Sequence, residues 1–174
     1  MAITSSITPD WSIRSATPSD AQVMLDLIHA LALYEKAPAE VAITLEQIAE
    51  HFFGIDPQVF CDVVEIDGRV VGFAVWFLNY STWLGVHGIY LEDLFVKPEF
   101  RGFGLGKALL QHLAQICVER EYGRFQWWVL DWNSPAIEFY HSIGAVAMDE
   151  WTTYRITGQP LVTLGTKISL GTKK

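Results

Sequence analysis

Glu92-Asp93-Leu94-Phe95-Val96-Lys97-Pro98-Glu99-Phe100-Arg101-Gly102-Phe103-Gly104-Leu105-Gly106-Lys107 decides how this chain is read. An apolar, strand-like run from His87 to Val96 leads in and stops at Pro98. Three glycines at alternate positions follow. A helical pattern then starts at once, with Leu105, Leu109, Leu113, Ile116 and Cys117 on one face. A glycine-rich turn feeding a helix N-terminus offers unpaired N–H groups and the positive end of the helix dipole, which suits a phosphate. Arg101 and Lys107 flank the turn. The P-loop pattern fails, because Arg101 stands where its first Gly belongs and Ala108 where its hydroxyl residue belongs. The dinucleotide pattern fails because the spacing is Gly-x-Gly-x-Gly. What remains is Arg-x-x-Gly-x-Gly. Taken alone, the loop also fits an ordinary strand–turn–helix whose glycines serve tight packing.

With 174 residues, 51% of them apolar, the chain is expected to fold as one domain with a substantial core. No apolar run reaches the roughly 18 residues of a membrane span, so no membrane association is expected. Residues 1–10 read as a loose polar lead without the basic and apolar regions of a signal peptide. Cys61 and Cys117 lie in apolar runs and read as buried free thiols. These features favour the cytoplasm. The net charge of −8 argues against nucleic acid and for cationic partners, although solubility alone would also account for it. The five His show no metal-ligand spacing, so no metal is expected.

The elements follow in order. Ser12 to Ala16 is a first strand, and Thr17-Pro18-Ser19-Asp20 caps a helix running to about Lys36. Thr44 with Gln47 forms a capping box for a helix to about Phe53. Phe60–Ile66 and Arg69–Leu78 form a hairpin around Asp67-Gly68. After His87–Val96 comes the glycine loop, then a helix to about Glu121. Phe125–Leu130 is a strand, and Asn133-Ser134-Pro135 opens a short helix ending before Gly144. Val146–Ile156 and Leu161–Ile168 read as a closing antiparallel pair. This order predicts an α+β fold over residues 11–170, a mixed and mostly antiparallel sheet with helices on both faces.

Arg101-x-x-Gly104-x-Gly106 resembles the pyrophosphate loop of the GNAT superfamily, which transfers acyl groups from coenzyme A to amines. Asn133-Ser134-Pro135-Ala136-Ile137-Glu138-Phe139-Tyr140, followed by Gly144-Ala145, resembles a second segment of those enzymes. The element order is also similar to the GNAT fold, so the resemblance covers nearly the whole chain. Leu31–Lys36, Ser81–Gly85, Ile89–Asp93, Pro98–Gly106 and Val129–Asn133 look like the spermidine/spermine acetyltransferase family. The Lys36 turn, Ser81-Thr82-Trp83 and Val129–Asn133 lean toward its thialysine-acetylating branch.

Acetylating an amine needs a base, since only the free amine attacks a thioester. It also needs a proton donor or a stabilising group for the leaving thiolate. Glu92 and Asp93 lie near the end of the strand entering the loop. Adjacent strand residues face opposite ways, so one carboxylate could face the reaction unless a bulge realigns them. A salt bridge or capped edge is the structural alternative. Tyr140 alone would read as core packing. The resemblance implies instead that Glu92 helps deprotonate the amine, directly or through water, and that Tyr140 protonates sulfur. It implies acetyl-CoA held by Leu94, Phe95, Val96, Arg101, Gly102, Phe103, Gly104, Leu105, Gly106, Lys107, Asn133, Ser134, Pro135 and Ala136. It implies a small cationic amine held by Tyr34, Glu35, Glu92, Asp93, Gln126, Trp127, Trp128 and Glu150. A homodimer and direct transfer in a ternary complex are further implications. The chain departs from the family's usual residues at Gln126-Trp127-Trp128, and the segment after Ala145 is shorter. Two rival readings are acetylation of a protein or xenobiotic amine, and a non-catalytic acyl-CoA or polyamine sensor. Retention of both Glu92 and Tyr140 counts against the sensor.

Overall fold

The computed structural model describes residues 10–166. By its internal contacts the chain divides after Trp128. The first unit holds β1 (Trp11–Ser15), α1 (Ala21–Tyr34), α2 (Leu45–Phe53), β2 (Val59–Ile66), β3 (Arg69–Ser81), β4 (Val86–Val96), α3 (Leu105–Glu119) and β5 (Phe125–Trp127). The second holds α4 (Ser134–Ser142) and α5 (Gly158–Thr166). Most of the expected lead, and the last residues of the expected final strand, lie outside the described residues.

The strands lie in sequence order, antiparallel from β1 to β4, with β5 parallel to β4. Local chemistry explains the junctions. Asp67 and Gly68 both take positive φ (49° and 72°), the backbone of a type I′ turn, and this joins β2 to β3. Thr44 and Gln47 close their capping box, with the Thr44 N–H donating to Gln47 Oε1 (2.9 Å) and the Gln47 N–H to Thr44 Oγ1 (3.3 Å). At the start of α1, Asp20 accepts from the Thr17 N–H (2.7 Å) and from Arg14 (2.7 and 3.0 Å). Arg14 also donates to Glu65 at 2.6 Å. The Arg14 guanidinium holds the Asp20 carboxyl well below the usual carboxylate range.

Alternation divides the core into two layers. Cys61, Val63, Phe73, Val75 and Phe95 pack with Met24, Leu27 and Leu31 of α1 and with Ile48 of α2. The opposite face carries Asp62 and Trp76, where His112 of α3 lies 3.3 Å from Asp62. Leu105, Leu109, Leu110, Leu113 and Cys117 are the buried stripe of α3. Helices therefore cover both faces, as expected. Both cysteines are buried and free, and burial pushes both thiols up.

The expected closing strand pair does not form. Residues 145–157 carry no regular secondary structure apart from turns, and residues 158–166 are helix α5. Pro160 cannot donate to a strand ladder, but its fixed φ suits a helix's first turn. Leu161, Val162 and Leu164 are all half or more exposed, so no buried face rewards an extended pairing there. The strand expected to reach Leu130 stops at Trp127.

Asp62 is 2% exposed and fully used. It accepts from Trp76 Nε1 (2.7 Å) and Ser15 Oγ (3.0 Å), and His112 Nε2 lies beside it. Asp62→Ala strands the Trp76 N–H in the core. It should destabilise the fold by about 3 kcal/mol in chemical denaturation; a loss below about 1 kcal/mol would show that the network holds little.

Candidate active site

β5 pairs with β4 only at Ile89↔Phe125, Tyr90↔Gln126 and Leu91↔Trp127, while β4 continues to Val96. Among the described residues no strand takes the outer edge of β4 beyond Leu91. The Phe95 carbonyl points toward β3, lying 2.7 Å from where a Cβ on Gly72 would stand. Alternation therefore sends the N–H and C=O groups of Leu94 and Val96 to the outer edge. An extended amide-bearing ligand can add to such an edge as a strand would. The pantetheine arm of coenzyme A has that chemistry.

The same edge delivers the chain to the glycine loop. The first intrahelical bond of α3 runs from the Ala108 N–H to the Gly104 carbonyl at 2.9 Å. The N–H groups of Leu105, Gly106 and Lys107 thus have no acceptor within the helix. Gly104, the residue before the helix, has φ of 79° and could not carry a side chain without strain. Gly106 is more telling. Its φ is not positive, and a Cβ there would meet nothing within 4 Å. Neither its backbone nor any neighbour among the described residues requires a glycine at that position; a Cβ at Gly102 or Gly104 would also meet nothing, but positive φ (84° and 79°) accounts for those two. Tight internal packing therefore does not explain Gly106, and a helix start without a Cβ there suits the close approach of a phosphate.

On the α1 face, a bulge reorganises the two acids. Val75 pairs with Asp93 and Trp76 with Leu91, so Glu92 has no residue opposite it. Asp93 lies with Val75 and Phe95 on the face beneath α1. Burial, then the charges of Glu92 and Glu35, push the Asp93 carboxyl up to about 6. Burial also raises Glu35, at the end of α1. Asp93 thus carries the charges of two further carboxylates. That helix end is tightly fixed. The Ala37 N–H donates to the Ala32 carbonyl (2.9 Å) and the Lys36 N–H to Leu33 (3.2 Å), which is a Schellman closure. Lys36 sits at its left-handed position (φ 65°), where glycine is the common residue. That costs on the order of 1 kcal/mol.

Tyr90 extends the wall of this face. Its ring lies 4.9 Å from Phe77 and 5.7 Å from Trp128, the latter edge-on. Trp127 instead stacks edge-on with Phe125 (5.0 Å), on the other side of the strand from Trp128. The three expected residues Gln126, Trp127 and Trp128 therefore do not share a face. Sequence reasoning missed Tyr90 as part of this wall, because one aromatic in an apolar strand carries no distinguishing signal. Arg101 was expected at the phosphate. Its guanidinium lies over the Tyr34 ring, 4.6 Å from the centroid.

In the second unit, the Asn133 carbonyl accepts from Ala136 (3.0 Å) and Ile137 (3.1 Å), and Pro135 occupies the first turn of α4. Gly144 (φ 88°) closes the helix, and the Ala145 N–H donates to the Tyr140 carbonyl at 3.1 Å. Tyr140 is half-buried beside Phe139. Glu150 is exposed in the irregular segment.

A strand edge without a neighbour, running into a bare helix start, suits an acyl-coenzyme A ligand, and the comparisons give the class. The chain belongs to the acetyltransferase (GNAT) family, whose model matches residues 21–145. It is an N-acetyltransferase, and acetyl-CoA is its acyl donor. Among relatives, it is 35% identical to the thialysine N-epsilon-acetyltransferase of Sus scrofa and 36% identical to that of Bos taurus, each over 89% of this chain and 97% of the relative. It is 30% identical to the L-ornithine N5-acetyltransferase of Arabidopsis thaliana, over 86% of this chain and 85% of the relative. Among solved structures, a V. cholerae integron cassette protein superposes with a TM-score of 0.76 at 26% identity, over 90% of this chain and 98% of the other. Among the described residues, no helix is long and apolar enough to cross a membrane.

Two outcomes test this geometry. Gly106→Ala should leave thermal stability unchanged or slightly higher, yet weaken acetyl-CoA binding at least tenfold by calorimetry. Unchanged binding would remove the phosphate from the helix start. The second outcome concerns Asp93, whose carboxyl binds its proton more tightly folded than unfolded. Stability should therefore fall as pH rises from about 4 to about 6. Asp93→Asn should be more stable than the parent by about 2 kcal/mol at pH 7.5 and equal to it near pH 4. An equal difference at both pH values would show that the charge is not the cause.

Proposed function

We propose that this enzyme acetylates a small primary amine that carries a second cationic group, with thialysine-like and ornithine-like amino acids first and diamines and polyamines next. The convergence of Glu35, Glu92 and Asp93 beside the open β4 edge carries the reading. Such a patch favours a dication, and the raised Asp93 carboxyl is what a cationic ligand would bring back down. The names of the relatives, which act on thialysine and L-ornithine, support the same class. Phe77, Tyr90 and Trp128 add aromatic faces that suit an ammonium group.

In this reading, the Leu94 and Val96 edge and the start of α3 hold acetyl-CoA, which supplies a thioester activated for attack by nitrogen. The family resemblance adds Asn133 to Ala136, before α4 and in its first turn, to the residues that hold the cofactor. Glu92, exposed at the bulge, takes the proton from the bound ammonium directly or through water, with Asp93 beside it as a second acceptor. The Tyr140 hydroxyl gives its proton to the leaving sulfur. Burial holds both cysteine thiols protonated, which supports direct transfer from a ternary complex without an acyl-enzyme. A homodimer rests on the family resemblance alone.

Thiol release should be measured with thialysine, ornithine, putrescine, spermidine, a Lys peptide and an aminoglycoside. The amino acids and diamines should give the highest kcat/KM, and preference for the peptide or aminoglycoside would overturn the substrate class. Tyr140→Phe should lower kcat by roughly 10²-fold with little change in acetyl-CoA affinity. A near-normal kcat, with chemistry rate-limiting, would return Tyr140 to packing.

A further inference from the structure

Arg101 stands at the entry of the phosphate loop, but its side chain is turned toward the amine side. Its Nε–H donates to the Val96 carbonyl at 3.1 Å. Its guanidinium carbon lies 4.6 Å from the centre of the Tyr34 ring and 5.5 Å from that of Phe95. Phe95 is 4% exposed and belongs to the core beneath α1. Tyr34 is the last helical residue of α1. One side chain therefore joins the end of β4, the loop after it and the end of α1.

Each end of this bridge is fixed by its own backbone. A short 3-10 turn at Pro98–Phe100 sets Arg101, with Phe100 N–H to the Lys97 carbonyl at 2.9 Å and Arg101 N–H to the Pro98 carbonyl at 3.2 Å. The Schellman closure at Lys36 sets the turn that follows Tyr34. The contact between the two is a flat cation over an aromatic face, with one edge of the cation spent on a carbonyl. That geometry needs a guanidinium. A lysine would keep the charge for a phosphate but would lose the flat face and the Nε donor.

We propose that the Arg101 side chain is a positioning residue of the amine site. It pins Tyr34, and with it the Tyr34-Glu35-Lys36 turn, against the strand whose edge receives the cofactor. The cofactor loop and the amine-binding turn then move as one piece, and loosening the arginine loosens the amine pocket. The assignment of Tyr34 and Glu35 to the amine rests on the function proposed above; the pin itself rests on the contacts alone.

The test uses Arg101→Lys, Tyr34→Leu and the double variant in the full-length enzyme. Acetyl-CoA affinity is read by calorimetry without amine, kinetics with thialysine at saturating acetyl-CoA, and amide hydrogen exchange over residues 33–37. Arg101→Lys should raise the amine KM about tenfold, by a larger factor than any change in the acetyl-CoA Kd, and speed exchange over 33–37. Tyr34→Leu should reproduce the KM rise, and the double variant should be no worse than the worse single, because both remove one interaction. The proposal is overturned if Arg101→Lys weakens acetyl-CoA tenfold with KM and exchange unchanged, or if the two substitutions add in full. If wild type turns over no amine, the substrate reading falls, while the Kd and exchange comparison still decides the pin.

Discussion

The parting of β4 from β5 after Leu91 is the constraint on which the rest of the site depends. A parallel neighbour that pairs with three residues and stops leaves the following stretch of a central strand with no strand on one edge, where the Val96 carbonyl accepts from Arg101 Nε. Elsewhere an open edge of Leu94 and Val96 would invite aggregation or be covered. Here it leads straight into a helix start with unpaired N–H groups. Edge and helix start together suit a ligand that is amide-like at one end and a pyrophosphate at the other. On the β3 side of the same strand, the bulge at Glu92 places charge at the point where the edge opens. One strand thus supplies the ligand edge, the acids and the approach to the loop.

The fold accepts unfavourable local choices around this strand and compensates elsewhere. Lys36 occupies a left-handed position, Gly106 gives up helix propensity, and Asp93 is a half-buried carboxyl crowded by two others. Away from the site, polar groups are matched. Asp62 is bonded from two strands and lies beside a helix histidine, Asp20 is held by Arg14 and Thr17, and no buried side-chain polar atom among the described residues lacks a partner. That contrast separates structural polarity from functional polarity. The raised carboxyls of Asp93 and Glu35 lie where a cationic ligand would relieve them.

Much of this was legible in the chain. The hairpin at Asp67-Gly68, the capping box at Thr44 and Gln47, and the strand–glycine–helix passage each rest on local chemistry that tertiary context does not override. The glycine spacing also separated this loop from two other phosphate motifs. The bulge was not legible, because a register shift depends on the partner strand, and two adjacent acids allow either a bulge or simple alternation. The orientation of Arg101 was hidden for a similar reason: Tyr34 lies far from it in sequence, at the end of another element. The expected closing strands failed because Leu161–Thr166 has strand-like composition but no buried face to use it on, and Pro160 opens a helix instead.

The central claim is that acetyl-CoA lies along the outer edge of β4 and on the start of α3. Residue-resolved amide hydrogen exchange with and without acetyl-CoA tests it most directly. The account predicts new protection concentrated at the Leu94 and Val96 amides and at those of Leu105, Gly106 and Lys107, with little change in β1 and β2. Tight binding that leaves these amides unprotected, with protection appearing elsewhere, would contradict it.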